Sequence, residues 1–139
     1  MKAIKLILGV IALAAIGFLI VHFLKINEIK SVMNENIVIM NHYAEAIGTA
    51  TTPEKMAAAT SHYAAEVRRF GTKLKDLKNK YPEISQRETA PAMLKETIIE
   101  HEDAVKNLMS VSRKLSPYME NQQVKDAYDD LIQAWIETK

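Results

Sequence analysis

The sequence predicts an all-α protein in which a single N-terminal transmembrane helix continues into an up-down-up-down four-helix bundle. Three observations predict this class. Residues 6–24 are almost wholly apolar, the rest of the chain carries apolar residues at spacings of three and four, and the four prolines stand at or beside the ends of these periodic segments. No segment sustains the period-two alternation of a strand. We therefore divide the chain into an anchor at 1–24 and a bundle at 25–139.

The N-terminal segment is predicted to be an uncleaved membrane anchor. The 19 residues from Leu6 to Leu24 contain one polar side chain, His22, and as a helix they would cover about 28 Å, close to the ~30 Å hydrocarbon core. The apolar part of a cleaved signal peptide is usually shorter, about 7–15 residues. Because Lys2 and Lys5 precede the run, we expect a cytoplasmic N-terminus and a periplasmic (extracytoplasmic) bundle on a single-pass inner-membrane protein.

Four amphipathic segments of similar length, joined by short connections, predict the bundle. They span about 25–48, 53–81, 90–116 and 117–138. The second segment has the most regular apolar stripe, with alternating steps of four and three: Met56, Thr60, Tyr63, Val67, Phe70, Leu74, Leu77 and Tyr81. The other stripes comprise Ile26, Ile29, Met33, Ile37, Met40, Ala44 and Ile47 on the first, Leu94, Ile98, His101, Val105, Leu108, Ser112 and Leu115 on the third, and Val124, Tyr128, Leu131 and Trp135 on the fourth.

Glycine, proline and hydroxyl residues predict where these helices end. Gly48 is expected to close the first helix in a left-handed conformation, and Thr52 followed by Pro53 is typical of a helix start. Thr89 is a suitable N-cap for the third helix. The junction between the third and fourth helices is left open, at Pro117 or near Asn121, because a proline can end one helix or begin the next.

Composition and charge exclude several functions. Beyond the two N-terminal lysines the chain has 16 basic and 17 acidic residues, so no basic surface for nucleic acid is expected. The absence of cysteine excludes disulfides and thiolate metal sites. We find no glycine-rich phosphate loop, nucleophile elbow or convergent acid–base pair, and therefore predict that the protein is not an enzyme and holds no metal.

Two surfaces are candidate contact sites. Val38 and Ile39 fall outside the apolar stripe of the first helix and are candidates for contact with a protein partner, in a membrane complex or a homo-oligomer. The end of the second helix nearest the membrane is rich in cations, and a lipid-surface contact is proposed for Lys73, Lys75, Lys78 and Lys80. The alternative is that these lysines form an ordinary solvated face, favoured near a helix C-terminus.

His101 is the main candidate for chemistry, because it interrupts an apolar stripe. It is either a core histidine bonded to a tyrosine or a backbone carbonyl, or a ligand for a metal or haem, or a pH-sensitive core position. His42 and His62 are expected at the same level of the bundle but on its surface.

Short segments resemble the periplasmic b-type cytochrome four-helix bundles. Met33 stands early in the first helix, the segment 82–91 precedes Ala92-Met93, and Asn121 opens the last helix with the residues Gln122 to Ala127. The resemblance implies the bundle fold and a methionine haem ligand at Met33. The family's second ligand is a histidine near the end of the last helix, which this sequence lacks, so haem would have to use His101 instead, and no cofactor is predicted.

The sequence therefore predicts a non-enzymatic membrane protein whose bundle binds other proteins, as an accessory subunit of a membrane complex. The alternative is a haem- or small-ligand-binding sensor or electron carrier that uses His101.

Overall fold

A computed structural model describes residues 23–82 and 92–138, which form four α-helices and two short 3₁₀-helices. The α-helices are α1 (Phe23–Thr49), α2 (Pro53–Lys80), α3 (Lys95–Ser112) and α4 (Gln122–Glu137), and the 3₁₀-helices are Ala92–Leu94 and Arg113–Tyr118. The all-α class and the four-helix bundle are confirmed.

The predicted membrane segment lies almost entirely outside the described residues. Its last two residues, Phe23 and Leu24, are described and belong to α1. Across 23–82 and 92–138, no helix has a stretch both long and apolar enough to cross a bilayer. Thr89, the expected N-cap of the third helix, also lies outside the described ranges.

The helices alternate in direction. Ion pairs join Glu28 to Lys80 and Glu35 to Lys73, so α1 and α2 are antiparallel. The direction of α3 follows from two contacts with α1, in which Asn36 bonds to His101 and Gly48 lies against Val111. Both partners advance together along the chain, so α1 and α3 are parallel.

The helices of this bundle do not all pack mainly on the next helix in the chain. The fourth helix packs mainly on α2 and runs parallel to it, since Tyr63 contacts Trp135 and Gly71 lies against Thr138. The third helix packs mainly on α1. The 3₁₀-helix Arg113–Tyr118 contacts all four α-helices and carries the chain from α3, which packs on α1, to α4, which packs on α2.

The helix ends correct one prediction and decide between two alternatives that the sequence left open. Gly48 is not a left-handed cap, since α1 continues to Thr49 and no residue of the described ranges has a positive φ. The fourth helix begins at Gln122 rather than Pro117, because the Asn121 side chain accepts hydrogen bonds from the next turn while Pro117 lies inside a 3₁₀-helix. The predicted cap at Thr52 is confirmed, and its hydroxyl accepts from the Lys55 amide at 3.3 Å.

Burial follows the predicted stripes most closely on α2 and α4, where every stripe residue is buried. On α3 the buried face is rotated slightly. Thr97 and Ala104 are buried, whereas Ile98 and Val105 are only half-buried. The third helix packs mainly on α1. The residues that α3 buries are therefore those that face α1, and this line of contact is displaced from its apolar stripe.

Candidate functional site

His101 forms a buried polar pair with Asn36 of α1. The Asn36 side-chain amide donates to Nε2 of His101 across 2.9 Å, and both residues are at most 4% exposed. This confirms that His101 is a core residue, but its partner is neither a tyrosine nor a backbone carbonyl. An amide can satisfy a buried ring nitrogen, which removes the cost of leaving that nitrogen without a hydrogen bond.

Burial sets the protonation state of this histidine. Removal from water lowers the pKa of His101 below its ordinary value, and the nearby Glu102 carboxylate opposes this only partly. The imidazole is therefore neutral near pH 7. With Nε2 accepting from Asn36, the ring proton belongs on Nδ1.

The same geometry tests the haem ligands implied by the resemblance. Met33 is buried on α1, one helical turn before Asn36. However, His101 already uses Nε2 for its bond to Asn36, and α4 contains no histidine that could replace it. A haem iron needs a free imidazole nitrogen. The described residues therefore do not fit a haem held between His101 and Met33.

Sequence reasoning missed Asn36, although its position carried a signal. A second α1 stripe has strictly alternating steps of four and three, and all its members are buried: Ile29, Met33, Asn36, Met40, Tyr43 and Ile47. Asn36 lies at its centre. A polar residue at the centre of such a stripe predicts a buried hydrogen-bonding partner on a neighbouring helix.

Three aromatic side chains form a second buried cluster. The rings of Tyr43 and Tyr63 stack with centroids 4.2 Å apart, and Tyr63 meets Trp135 edge to face at 6.3 Å. The Thr60 hydroxyl donates to the Met56 carbonyl, so it accepts from the Tyr43 hydroxyl at 3.1 Å. Burial raises the pKa of Tyr43 to about 12.

Several polar atoms of this core make no hydrogen bond within the described part of the chain. They are Tyr63 Oη, Thr97 Oγ1, Tyr128 Oη and Trp135 Nε1. Such groups destabilise a core by an amount that depends on how far they are removed from water.

A small pocket lies beside the tyrosine stack, between α1 and α2. Ala46 and Ala59 leave room for it, and His42, His62 and Glu66 also line it. Both histidines are exposed, as predicted, and the fold brings them to one pocket. Its volume of about 60 Å³ could hold a few water molecules, but small-molecule sites usually exceed ~300 Å³. Within 23–82 and 92–138, no three His, Cys, Asp or Glu side chains are arranged to hold a metal.

The cationic surface of α2 is largely neutralised by its neighbours. Lys73 bonds to Glu35 at 2.7 Å, and Lys80 bonds to Glu28 at 2.8 Å. Lys80 together with the Tyr81 hydroxyl lowers the pKa of Glu28. The sequence pattern considered only the carboxylates of α2 itself and so overestimated the positive charge. Lys75 and Lys78 make no ion pair with any described residue.

The two apolar candidates for partner contact on α1 differ in exposure. Val38 is 50% exposed, whereas Ile39 is buried, so the expectation that Ile39 is a surface contact is wrong. Because α1 packs against both α2 and α3, its buried arc is wider than one stripe. Ile39 faces α2 together with Tyr43, beside the pocket. Partner contact at Val38 stays a prediction.

Comparison with known proteins adds no relative. No family model, curated protein or solved structure matches the chain. Its function has to be argued from its own residues.

Proposed function

We propose that this chain is a non-enzymatic, single-pass membrane protein whose extracytoplasmic bundle associates with other protein chains, as an accessory subunit of a membrane complex. Residues 6–24 are the proposed anchor. The observation that carries the proposal is the apolar run itself, whose last two residues, Phe23 and Leu24, belong to α1 of the bundle.

The buried polar groups support an interaction module. His101 bonds to Asn36, and Tyr43 bonds to Thr60, so these chemically capable side chains serve to join one helix to another. Exposed apolar surface is instead available at Val38, on the side of α1 that faces away from α2 and α3. Within 23–82 and 92–138, Met93, Ile99, Met109 and Ile136 are exposed to a similar extent. Val38 is chosen because it lies on the helix that contains the last two residues of the proposed anchor.

A lipid-headgroup contact by α2 would supplement this role. Lys80 bonds to Glu28, only four residues beyond the proposed span, so this end of α2 lies closest to the bilayer. Lys75 and Lys78 are the two lysines of the group available for anionic lipid. Changing both to glutamate should weaken binding of the bundle to phosphatidylserine vesicles, whereas equal binding would restrict the role of α2 to the fold.

Two measurements on the full chain test the proposal. Membranes washed at alkaline pH should retain the protein, and native electrophoresis in mild detergent should show it in a complex larger than one chain. Val38→Asp should shift the chain to its single-chain size. Met109→Asp is the matched control, since Met109 is a similarly exposed apolar residue on α3, and it should leave the complex intact.

Contrary results are equally clear. Release of the chain by alkaline washing would contradict the anchor, and a complex unchanged by Val38→Asp would contradict the contact. A haem Soret band in protein purified from its native membrane would favour the cofactor alternative, most directly if His101→Leu abolished it.

A further inference from the structure

The outward face of α1 carries a single seam of exposed residues. Six of them follow one another in steps of four and three, and all are exposed: Asn27, Ser31, Asn34, Val38, Asn41 and Glu45. We call these residues the outer seam. They lie opposite the stripe that α1 buries against α2 and α3, so no described helix covers them.

The outer seam carries less charge than most other exposed faces, although the stretch of α2 from Ala58 to Ala65 is also uncharged. Its five residues from Asn27 to Asn41 are all uncharged. The exposed faces of the other helices carry many charges, including Lys55, Arg69, Lys75 and Asp76 on α2, Glu96, Glu100, Glu102, Asp103 and Lys106 on α3, and Lys125, Asp126, Asp129, Asp130 and Glu137 on α4. Depletion of charge is the compositional mark of the centre of a protein interface.

The chemistry of the outer seam favours a second copy of the same chain as its partner. Asn27, Asn34 and Asn41 recur every seven residues. A carboxamide both donates and accepts hydrogen bonds, so each asparagine can pair with its own equivalent across a two-fold axis. Polar residues in a helical seam also fix the register of the two helices.

Charge at the edges of the outer seam fits the same arrangement. Lys30 and Glu35 flank the seam on opposite sides and are five residues apart. In a parallel pair of helices this spacing places Lys30 of one copy beside Glu35 of the other, as in the g-to-e′ pairs of coiled coils. This contact would add to the ion pair that Glu35 makes with Lys73 of its own chain. Two Glu45 carboxylates would face each other at the distal end, so the contact should stop near Asn41.

We infer that two copies of this chain associate in parallel through the outer seam of α1. The inference rests on the proposed function, because anchoring by a shared N-terminal segment places the copies side by side in the same orientation. The contact covers 14 residue steps from Asn27 to Asn41, about 21 Å of helix. So short and polar a contact is weak in free solution, and confinement in the membrane raises the effective concentration that drives it.

Cysteine cross-linking in native membranes tests the inference directly, because the full chain contains no cysteine. We expect oxidation to give disulfide dimers of Asn27→Cys, Asn34→Cys and Val38→Cys. These positions would lie within the ~4.4–6.8 Å Cα separation that a disulfide requires. Asn79→Cys on α2 and Lys125→Cys on α4 are exposed controls of the same kind and should stay monomeric. Adding Val38→Asp to Asn34→Cys should lower the dimer yield at least fivefold.

Each outcome decides the matter. Equal dimer yields at seam and control positions would indicate random collision and overturn the inference. Dimers of Asn34→Cys without dimers of Asn27→Cys would indicate an antiparallel contact and overturn the parallel arrangement. A larger complex without seam cross-links would leave the proposed function intact and assign the partner to a different protein. Release by alkaline washing would instead contradict the anchor. The cross-linking pattern would still show whether two copies meet at the outer seam.

Discussion

Replacing Asn36 with leucine tests the buried polar pair on which the packing of α1 against α3 depends. Leucine has the same number and branching of side-chain heavy atoms as asparagine, so the change removes the donor to His101 Nε2 without opening a cavity. Both side chains are at most 4% exposed, so water cannot replace the lost bond. Leaving one buried polar group without a partner costs about 1–3 kcal/mol, and we expect the free energy of unfolding to fall by that amount.

A double-mutant cycle separates the hydrogen bond from general packing effects. His101→Leu should cost a similar amount, because it leaves the Asn36 amide buried and unpaired. The double variant removes both polar groups, and its loss should be smaller than the sum of the two single losses by about 1–3 kcal/mol. Asn79→Leu, at an exposed position on α2, is the control and should change stability by less than about 0.5 kcal/mol.

Urea unfolding of the full chain in detergent micelles measures these values. Trp135 is the only tryptophan and is buried against Tyr63, so its fluorescence reports on the bundle core. Strictly additive losses at positions 36 and 101 would refute the pairing, because independent sites show no coupling.

Three further predictions concern pH, an ion pair and a close helix contact. Burial lowers the pKa of His101 in the folded state, so the unfolded chain binds a proton first as the pH falls below ~6.5. The free energy of unfolding should therefore decline below that pH. In urea titrations at successive pH values, His101→Leu should make this decline less steep. Arg68 bonds to two α4 carboxylates but is more than one-third exposed, so Arg68→Ala should lower stability by only about 0.2–1 kcal/mol, with a smaller effect in high salt. Gly71→Ala should destabilise by about 1–3 kcal/mol despite the better helix propensity of alanine, because its methyl group would collide with Thr138; a higher melting temperature would contradict that contact.

The strength of each helix pattern explains how much of the fold the sequence could predict. The α2 stripe from Met56 to Tyr81 repeats without interruption, and every member is buried. A regular stripe reports a single contact line, which suffices to place one face of a helix. The stripe does not show which helix that face packs against. The pairing of α4 with α2 depends on how the 3₁₀-helix Arg113–Tyr118 directs the chain, and local spacing does not contain that information.

The candidate sites were harder to predict because their partners are far apart in the chain. His101 is a conspicuous residue in an apolar stripe, but Asn36 lies 65 residues away. The two carboxylates that neutralise Lys73 and Lys80 likewise come from α1 rather than α2. Charge counted along one helix overlooks neighbours that only the packing brings near.

The two faces of α1 show where a sequence pattern is informative and where it is not. Each member of the outer seam precedes a member of the buried stripe by two residues, from Asn27 before Ile29 to Glu45 before Ile47. Two residues correspond to 200° around a helix. A stripe with steps of four and three on one face is therefore always accompanied by a stripe with the same spacing on the opposite face. The spacing of the outer seam therefore carries no information by itself. Its information lies in the amino acids, since an unused outward face tolerates any charge, whereas α1 keeps it neutral from Asn27 to Asn41 and places its charges at the edges.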